Sequence, residues 1–306
     1  MSVEESKTKI DRYMEESKMN MMKYCDFHTH STRSDGELTR DKLIESAIKC
    51  NISALAITDH NIGFDDLDEM QKKYSGIKLI NGAEVSTSYK LADTGELREI
   101  HIIALNFKNT DRFTKLLYDN RFDSEEYVNE IIKSLNKVGI DADFSYRDLK
   151  DKLNQEFIGR MAIARELVER KLVGSIDEVF DEYIGDFGNK RAYVKPYVSK
   201  YISMESAIHE IKKANGIAIL CHPLSYQFTD EQLIHLVSDF KHNGGIAIES
   251  NYAIYNENQR NYVKELSRKF SLVESAASDF HGRGLKNTLD NSFPISIYYA
   301  LKEFFE

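Results

Sequence analysis

The chain has 306 residues and a formal net charge of −9 at pH 7, and its basic residues form no cluster. Proteins that bind long duplex nucleic acid usually present a clustered basic face, so duplex DNA or RNA is excluded as the expected partner. No apolar run approaches the ~20 residues of a membrane span and the charged N-terminus lacks the apolar core of a secretory signal, so we expect a cytoplasmic protein that binds no membrane.

The first predicted element is an N-terminal arm or helix over residues 1–22, and strands and helices alternate after it. An Asp-Thr-Gly turn signal lies between two alternating apolar stretches, residues 83–91 and 97–106, and predicts a β-hairpin. Thr39 is the expected N-cap of the first helix of this region. Strands are predicted at Tyr24–His28, Ala54–Thr58 and Ile77–Ile80, and helices at Arg40–Cys50 and Asp65–Tyr74.

Strand signals nearly vanish over residues 110–203, where apolar residues such as Ile131 and Leu135 recur at helical spacing. We interpret this segment as a helical insertion, or cap, between two parts of one α/β domain, residues 23–109 and 204–306. Repeated β–α units in both parts predict a parallel sheet, either closed or open.

The second α/β part repeats the alternation and contains a predicted capping box at Thr229 and Gln232. Its predicted strands are Ile217–Cys221, Ile246–Ser250 and Leu272–Ala276. Its predicted helices are Met204–Asn215, Asp230–Asn243, Asn256–Lys269 and one that begins at Ile297.

Histidines and carboxylates are concentrated at the ends of the predicted strands, where active sites of parallel α/β folds are built. In His28-Thr29-His30, alternate residues of an extended chain point to one side, so both imidazoles can reach one cation. Asp279 and His281 repeat this spacing near the other end of the chain. Zinc, manganese and iron all accept imidazole nitrogen together with carboxylate oxygen. The candidate ligands are His28, His30, Asp35, His60, Glu84, His101, His222, Asp279 and His281.

Several segments together resemble phosphoesterases of the PHP (polymerase and histidinol phosphatase) family. They are CDFHTHSTRSDGELTRDKLIESAI, ALAITDHN, NGAEVS, ILCHP and ASDFH. The resemblance covers nearly everything from residue 24 onward and implies a distorted (β/α)7 barrel. The helical insertion is similar to the cap of the branch that contains 3′,5′-nucleoside bisphosphate phosphatases.

The resemblance implies a site for three divalent metal ions, with Zn, Mn or Fe as candidates. Clustered cations would neutralise a phosphate ester and lower the pKa of a bound water, so that hydroxide attacks phosphorus. Glu84, Asp279 and His222 are the expected catalytic ligands, with Glu84 bridging two metals. The first metal would be held by His28, His30, Glu84 and Asp279, the second by Glu84, His101 and His222, and the third by Asp35, His60 and His281.

Two cap residues are expected to bind substrate. Arg160 in FIGRMAIARELVER matches a phosphate-binding arginine of the bisphosphate branch, and Lys190 in GNKRAYV matches a lysine of its turn motif. Both residue types bind phosphate. Ala162 and Arg191 depart from the pattern of that branch. The expected substrate is a small phosphomonoester, with a 3′,5′-nucleoside bisphosphate or a short 5′-phosphorylated oligonucleotide as the specific expectation.

Other interpretations stay open at this point. A sugar-phosphate or histidinol-phosphate phosphatase would use the same chemistry. An amidohydrolase-like enzyme would also use an HxH barrel site, although its usual metal-bridging lysine is not evident. A non-catalytic, metal-stabilised accessory domain is the third alternative, and the complete ligand set argues against it. The sequence indicates no oligomeric state.

The remaining chemistry-bearing residues are expected to be structural. The three cysteines are far apart, as is typical of reduced thiols, and Cys221 is expected to pack in the core rather than act as a nucleophile. Asp59 is expected either to orient a histidine or to make a loop hydrogen bond. His209, His235 and His242 lie in predicted helices and are expected to have no part in catalysis.

Overall fold

Seven strands form one sheet whose spatial order is the order of the chain. The computed structural model describes residues 23–121, 124–153, 155, 158–185, 190–194, 198–282 and 287–305, so the predicted arm at residues 1–22 lies outside the described residues. The strands are β1 (Tyr24–Asp26), β2 (Ile52–Ile57), β3 (Lys78–Lys90), β4 (Leu97–Leu105), β5 (Ile217–Leu220), β6 (Ala247–Tyr252) and β7 (Val273–Ala277).

The sheet is mixed. β1, β2 and the first residues of β3 pair in parallel, as do β5, β6 and β7. β4 runs antiparallel to both β3 and β5 because it returns through the predicted hairpin. The expected parallel sheet is therefore interrupted at this one strand.

The two edges of the sheet meet and nearly close it into a barrel. The N–H of Phe27 donates to the carbonyl of Ala276 (3.0 Å), and the N–H of Asp279 donates to the carbonyl of His28 (2.8 Å). Each bond joins the segment of β1 to the segment of β7. The predicted seven-stranded barrel is thereby confirmed. Its closure brings the candidate ligands after β1 next to those after β7.

The helices begin and end close to their predicted positions. Thr39 caps the first helix by accepting from the N–H of Lys42, and Thr229 with Gln232 forms the predicted capping box. The helices are α1 (Arg40–Lys49), α2 (Leu67–Lys73), α3 (Asp111–Asp119), α4 (Ser124–Lys137), α5 (Tyr146–Leu153), α6 (Arg160–Glu169), α7 (Ile176–Glu178, continued by a π-helical turn at Val179–Ile184), α8 (Met204–Lys213), α9 (Asp230–His242), α10 (Glu257–Lys269) and α11 (Ser296–Lys302), with 3-10 turns at Val198–Lys200 and Pro223–Tyr226.

Helices α4 to α7, called the cap below, share a buried apolar cluster of their own. Ile131, Leu135, Ile163 and Leu167 are fully buried in it, as their helical spacing predicts. Phe113 of α3 instead joins the cluster that packs the outer helices on the barrel, although α3 lies inside the predicted insertion. In the described part of the chain, no helix is long and apolar enough to cross a membrane.

Candidate metal centre

The barrel brings all nine predicted ligands together at one end. His28 and His30 follow β1, His60 follows β2, and Asp279 and His281 follow β7, because the carboxyl ends of parallel strands meet at one edge. The remaining side chains reach the same place by other routes. Glu84 lies within β3, His101 within antiparallel β4, Asp35 in the loop after β1 and His222 directly after β5.

Glu84 lies at the centre of this group and is buried. Its Oε1 atom is 2.7 Å from Nδ1 of His101 and 3.2 Å from Nε2 of His222. Its Oε2 atom is 2.9 Å from Nδ1 of His60 and 3.3 Å from Nε2 of His28. Among the described residues Oε2 nevertheless makes no hydrogen bond. A buried carboxylate oxygen left in this state, surrounded by imidazole nitrogens, fits a position that ligates a cation.

The His-x-His pair offers two nitrogens to one position. Nε2 of His28 and Nε2 of His30 are 3.1 Å apart, and each is 3.3 Å from Oδ1 of Asp279. His30 Nε2 is also 3.3 Å from Glu84 Oε2. Two imidazole nitrogens and two carboxylate oxygens that converge in this way are a donor set that Zn, Mn and Fe accept.

A second convergence involves Asp35. His30, Asp35, His60 and His281 each offer a ligand atom, and these atoms lie within 4.8 Å of one another. Nε2 of His281 is 3.3 Å from Oδ1 of Asp35, and Nε2 of His60 is 3.6 Å from Oδ2. The structure therefore brings the predicted third group together and adds His30 to it.

A further group of converging atoms comes from His60, Glu84 and His101. His60 takes the place that the sequence-based grouping gave to His222, which approaches the same Glu84 through Oε1. The division of ligands between metals stays a prediction, since His60 contacts both Asp35 and Glu84.

Opposite charges dominate the electrostatics of the site. Burial alone would raise the pKa of Glu84, but the imidazoles of His28 and His101 outweigh it and hold that pKa well below its usual range. Burial would lower the pKa of His101, but Glu84 and Glu99 raise it to about 10. Without metal, the carboxylates therefore stabilise the charged imidazoles of His28 and His101, and a divalent cation that binds to these rings must displace protons.

Two strained backbone positions belong to the site. His222 has φ +27° and Asp279 has φ +54°, values in the left-handed region that non-glycine residues seldom adopt. Such conformations persist where surrounding contacts fix them, and they are frequent at functional sites. Tyr252 contributes one such contact, because its hydroxyl donates to Oδ2 of Asp279 at 2.7 Å.

Asp59 binds the loop after β1 rather than a histidine. Its Oδ1 accepts from the N–H of Ser31 (2.7 Å) and the hydroxyl of Ser34 (2.8 Å), and its Oδ2 accepts from the hydroxyl of Ser31 (2.7 Å). These bonds join the loop after β2 to the loop after β1 and hold the turn that carries His30 and Asp35. Of the two roles expected for Asp59, the structure supports the loop hydrogen bond.

Two supporting residues were not found from the sequence. Glu249 of β6 lies with Oε1 2.8 Å from Nδ1 of His28, and its Oε2 accepts from the N–H of His222 at 2.6 Å. Arg165 of α6 donates to the carbonyls of Asp35 and His281, both at 2.7 Å. Glu249 carried a usable signal, since it is a carboxylate at the end of a predicted strand. Arg165 lies on an ordinary helical pattern that carries no such signal.

A cavity of about 270 Å³ lies between the cluster and the cap. At one end it is lined by candidate ligands, and on the other walls by polar, cationic and apolar side chains. Arg121 and Arg160 line it, whereas Lys190 does not and instead donates its ammonium to the carbonyl of Asp181. Apolar lining comes from Tyr127, Ile158, Met161, Phe180 and Tyr201.

The residues expected to be structural lie where that expectation places them. Cys221 is fully buried, and burial holds the pKa of its thiol well above the usual value, so a thiolate nucleophile is not available. His209, His235 and His242 are exposed on outer helices.

A barrel with histidines and carboxylates gathered at its strand ends is the architecture of a metal-dependent hydrolase. Residues 26–214 match the model of the PHP domain, and because this match spans more than half of the chain, the chain belongs to the PHP family. The resemblance noted from the motifs is confirmed.

Relatives with curated functions span most of the chain. A 5′-3′ exoribonuclease of Haemophilus influenzae is 35% identical over 264 residues, which cover 85% of this chain and 91% of the relative. A 3′,5′-nucleoside bisphosphate phosphatase of Chromobacterium violaceum is 29% identical over 266 residues, 86% of this chain and 89% of the relative. Both relatives are named for phosphoester hydrolysis, and the chain is a metal-dependent phosphoesterase of the PHP family.

The fold has a matching solved structure. A protein described as an amidohydrolase from Chromobacterium violaceum, with bound sulfate and no metal, superposes with a TM-score of 0.77 at 27% identity, over 92% of this chain and 97% of the other. The agreement extends through barrel and cap.

Proposed function

We propose that the chain hydrolyses the phosphoester on the 3′ side of a 5′-phosphorylated nucleotide. A 3′,5′-nucleoside bisphosphate and a short 5′-phosphorylated RNA both contain this unit. One relative is named a 3′,5′-nucleoside bisphosphate phosphatase and another a 5′-3′ exoribonuclease. The observation that carries the proposal is the cavity, which has the ligand cluster at one end and Arg160 on its wall. Such a cavity can hold one phosphate at each place and a nucleoside between them.

The proposed metal centre uses the nine converging side chains. When bound, the divalent ions, with Zn, Mn and Fe as candidates and three as the proposed number, neutralise the ester phosphate and activate water. Glu84 would bridge two of them, since its two oxygens face different histidines. Asp279 and His222 would complete the catalytic ligands.

Arg160 is proposed to bind the 5′-phosphate. It is the first residue of α6, whose N-cap Gly159 also lines the cavity and has no side chain to cap the helix. The first turn of a helix presents N–H groups and a partial positive charge to an anion, and arginine adds a bidentate contact. Binding energy from this remote phosphate positions the scissile ester at the metals.

The apolar wall is proposed to hold the nucleoside. Tyr127, Phe180 and Tyr201 offer aromatic surface inside the cavity. Bases of single-stranded nucleic acid stack on such side chains without sequence preference. A cavity of about 270 Å³ is at the small end of ligand sites and suits one nucleotide unit rather than a duplex.

The test compares matched substrates with the metal-reconstituted protein. Adenosine 3′,5′-bisphosphate is set against adenosine 3′-monophosphate, and a 5′-phosphorylated trinucleotide against its 5′-hydroxyl form. We expect kcat/KM to be roughly 10-fold or more higher for each 5′-phosphorylated member, the scale of one charge-assisted contact. Equal rates within both pairs would remove the 5′-phosphate from the proposal.

Amide hydrolysis is the second candidate, because the superposable structure is described as an amidohydrolase. Of the described residues that line the cavity none is a lysine, the residue expected to bridge metals in amidohydrolases. The same preparation should therefore release no amine from N-acyl substrates. Turnover of amides without turnover of phosphoesters would replace the proposed function.

A further inference from the structure

Glu249 links two parts of the proposed metal centre without being one of the predicted ligands. It lies on β6, is buried, and uses both carboxylate oxygens. Oε1 is 2.8 Å from Nδ1 of His28, which belongs to the first predicted metal group. Oε2 accepts from the backbone N–H of His222, which belongs to the second. This inference rests on the proposed metal centre and concerns the residue that orients it.

We propose that Glu249 is a positioning residue that fixes His28 in the tautomer with hydrogen on Nδ1. An ionised carboxylate only accepts hydrogen bonds, so Nδ1 of His28 must donate to it. When the ring is neutral, as a metal ligand must be, Nε2 is then the nitrogen that keeps its lone pair. It faces Nε2 of His30 at 3.1 Å and the carboxylates of Asp279 and Glu84 at 3.3 Å. A metal ligand needs this free nitrogen, and carboxylates bonded to the opposite nitrogen are the usual means of providing it.

The second oxygen of Glu249 accepts a hydrogen bond from the backbone. The N–H of His222 can only donate, so Oε2 must stay an acceptor as long as the turn after β5 keeps its shape. That turn holds His222 at φ +27°, a conformation that needs such a contact. The carboxylate therefore serves a donor on each side, which a neutral side chain cannot do.

Replacement of Glu249 by glutamine is expected to change the tautomer of His28. In Glu249→Gln the amide oxygen must accept from His222, because its NH2 group cannot. The NH2 group then faces His28, whose Nδ1 becomes an acceptor, and the ring hydrogen moves to Nε2. Size and number of hydrogen bonds are kept, but Nε2 no longer offers a lone pair to a metal. The substitution thus separates ligand orientation from folding.

The experiment measures Mn²⁺ and Zn²⁺ binding to the full chain by competition with a chelator, together with thermal melting of the metal-free protein. We expect Glu249→Gln to bind metal roughly 10–100-fold more weakly, as for other residues that orient metal ligands, while the metal-free protein still unfolds in one cooperative thermal transition. Glu274→Gln is the matched control, since Glu274 lies on the neighbouring strand β7, opposite Ile248, and pairs with Lys264. It should bind metal like the wild type.

A double-mutant cycle tests whether Glu249 affects metal binding through His28. If Glu249 acts through His28, Glu249→Gln should cause no further loss of affinity in a His28→Ala background. Additive losses, unchanged affinity in Glu249→Gln, or loss of the cooperative metal-free transition would each overturn the proposal. No substrate is present in these assays, so failure here is distinguishable from failure of the proposed reaction.

Discussion

Five imidazole nitrogens surround the carboxylate of Glu84 at 2.7 to 3.3 Å from its two oxygens. Removal of this charge leaves the nitrogens without the anion that draws two cations together. Asp279 has a comparable place beside the His-x-His pair, and its Oδ1 also lies 3.5 Å from Nδ1 of His281. At the residue scale, the site depends on these two carboxylates more than on any charge at the cavity wall.

The first prediction concerns both carboxylates. Glu84→Gln and Asp279→Asn should each lose about 100-fold or more in kcat/KM, since residues that merely orient ligands already contribute roughly 10–100-fold. Asparagine tolerates the left-handed backbone of residue 279, so the fold should be retained. Metal content and phosphate release are measured together. His209→Ala, on an exposed helix position, is the control and should match the wild type.

A second residue-scale prediction concerns pH and Asp26. Burial raises the pKa of Asp26 to about 7, and its Oδ2 is buried without a hydrogen-bond partner among the described residues. Because the folded-state pKa lies above the ordinary value of 3.8, ionisation disfavours the fold. The resulting penalty is absent below about pH 4, grows up to pH 7 and is constant above it.

Asp26→Asn should remove this pH dependence. The free energy of unfolding of wild type relative to Asp26→Asn should fall by up to about 4 kcal/mol between pH 4 and 8. Denaturant melts of chelator-treated protein measure it. Asp41→Asn is the comparison. The bond from Lys73 lowers the pKa of Asp41, so the free energy of unfolding of wild type relative to this variant should rise with pH instead of falling. A pH-independent difference for Asp26→Asn would show that Asp26 ionises freely.

At the element scale, α6 joins the cap to the metal centre. Its first residue, Arg160, lines the cavity, and Arg165 one turn later holds the carbonyls of Asp35 and His281. The helix therefore fixes the distance between the wall that would bind the remote phosphate and the ligands that would act on the scissile one.

Arg160→Ala should discriminate between substrates. Loss of a charge-assisted contact of about 1.5–3 kcal/mol should lower kcat/KM for adenosine 3′,5′-bisphosphate by roughly 10- to 100-fold. Hydrolysis of an aryl phosphate, which lacks a remote phosphate, should be nearly unchanged. Arg147→Ala on α5, an exposed arginine of the same cap, is the matched control. Equal losses on both substrates would assign Arg160 to the fold or the metals.

Lys190 provides the contrasting case within the cap. Its ammonium bonds the carbonyl of Asp181 in the turn that follows α7, and it does not line the cavity. We therefore expect Lys190→Ala to change both substrates by the same factor. A loss confined to the bisphosphate would restore the substrate-binding role that the sequence predicted for it.

The strands show what periodicity can and cannot predict. Ile77–Ile80 and residues 83–91 were predicted as separate strands, but β3 runs from Lys78 to Lys90 without a break. Gly82, which usually marks an interruption, is needed here because a Cβ at that position would lie 2.7 Å from Cγ2 of Thr58. The glycine thus serves close packing between β2 and β3, a fact that depends on a distant residue.

At the scale of the whole molecule, the barrel and the nine converging ligands could be predicted because motifs at strand ends identify both. Closure between His28 and Asp279 follows from the family fold rather than from local sequence. The strand-end position of Glu249 was a usable signal, but the partners of Glu249 and Arg165 could not be predicted, since they lie more than 25 positions away in the chain. For Lys190 the motif match and the structure differ, because its ammonium contacts the carbonyl of Asp181 and does not line the cavity, and its substrate-binding role stays a prediction.

The central claim is that the nine side chains form one multinuclear metal centre that hydrolyses phosphoesters. A crystal structure of the metal-reconstituted enzyme, with anomalous diffraction recorded at the absorption edge of the bound metal, tests it most directly. The account predicts three anomalous peaks within the group of nine residues, with Glu84 between two of them. Metal bound elsewhere, in a preparation that still releases phosphate at the wild-type rate, would contradict it.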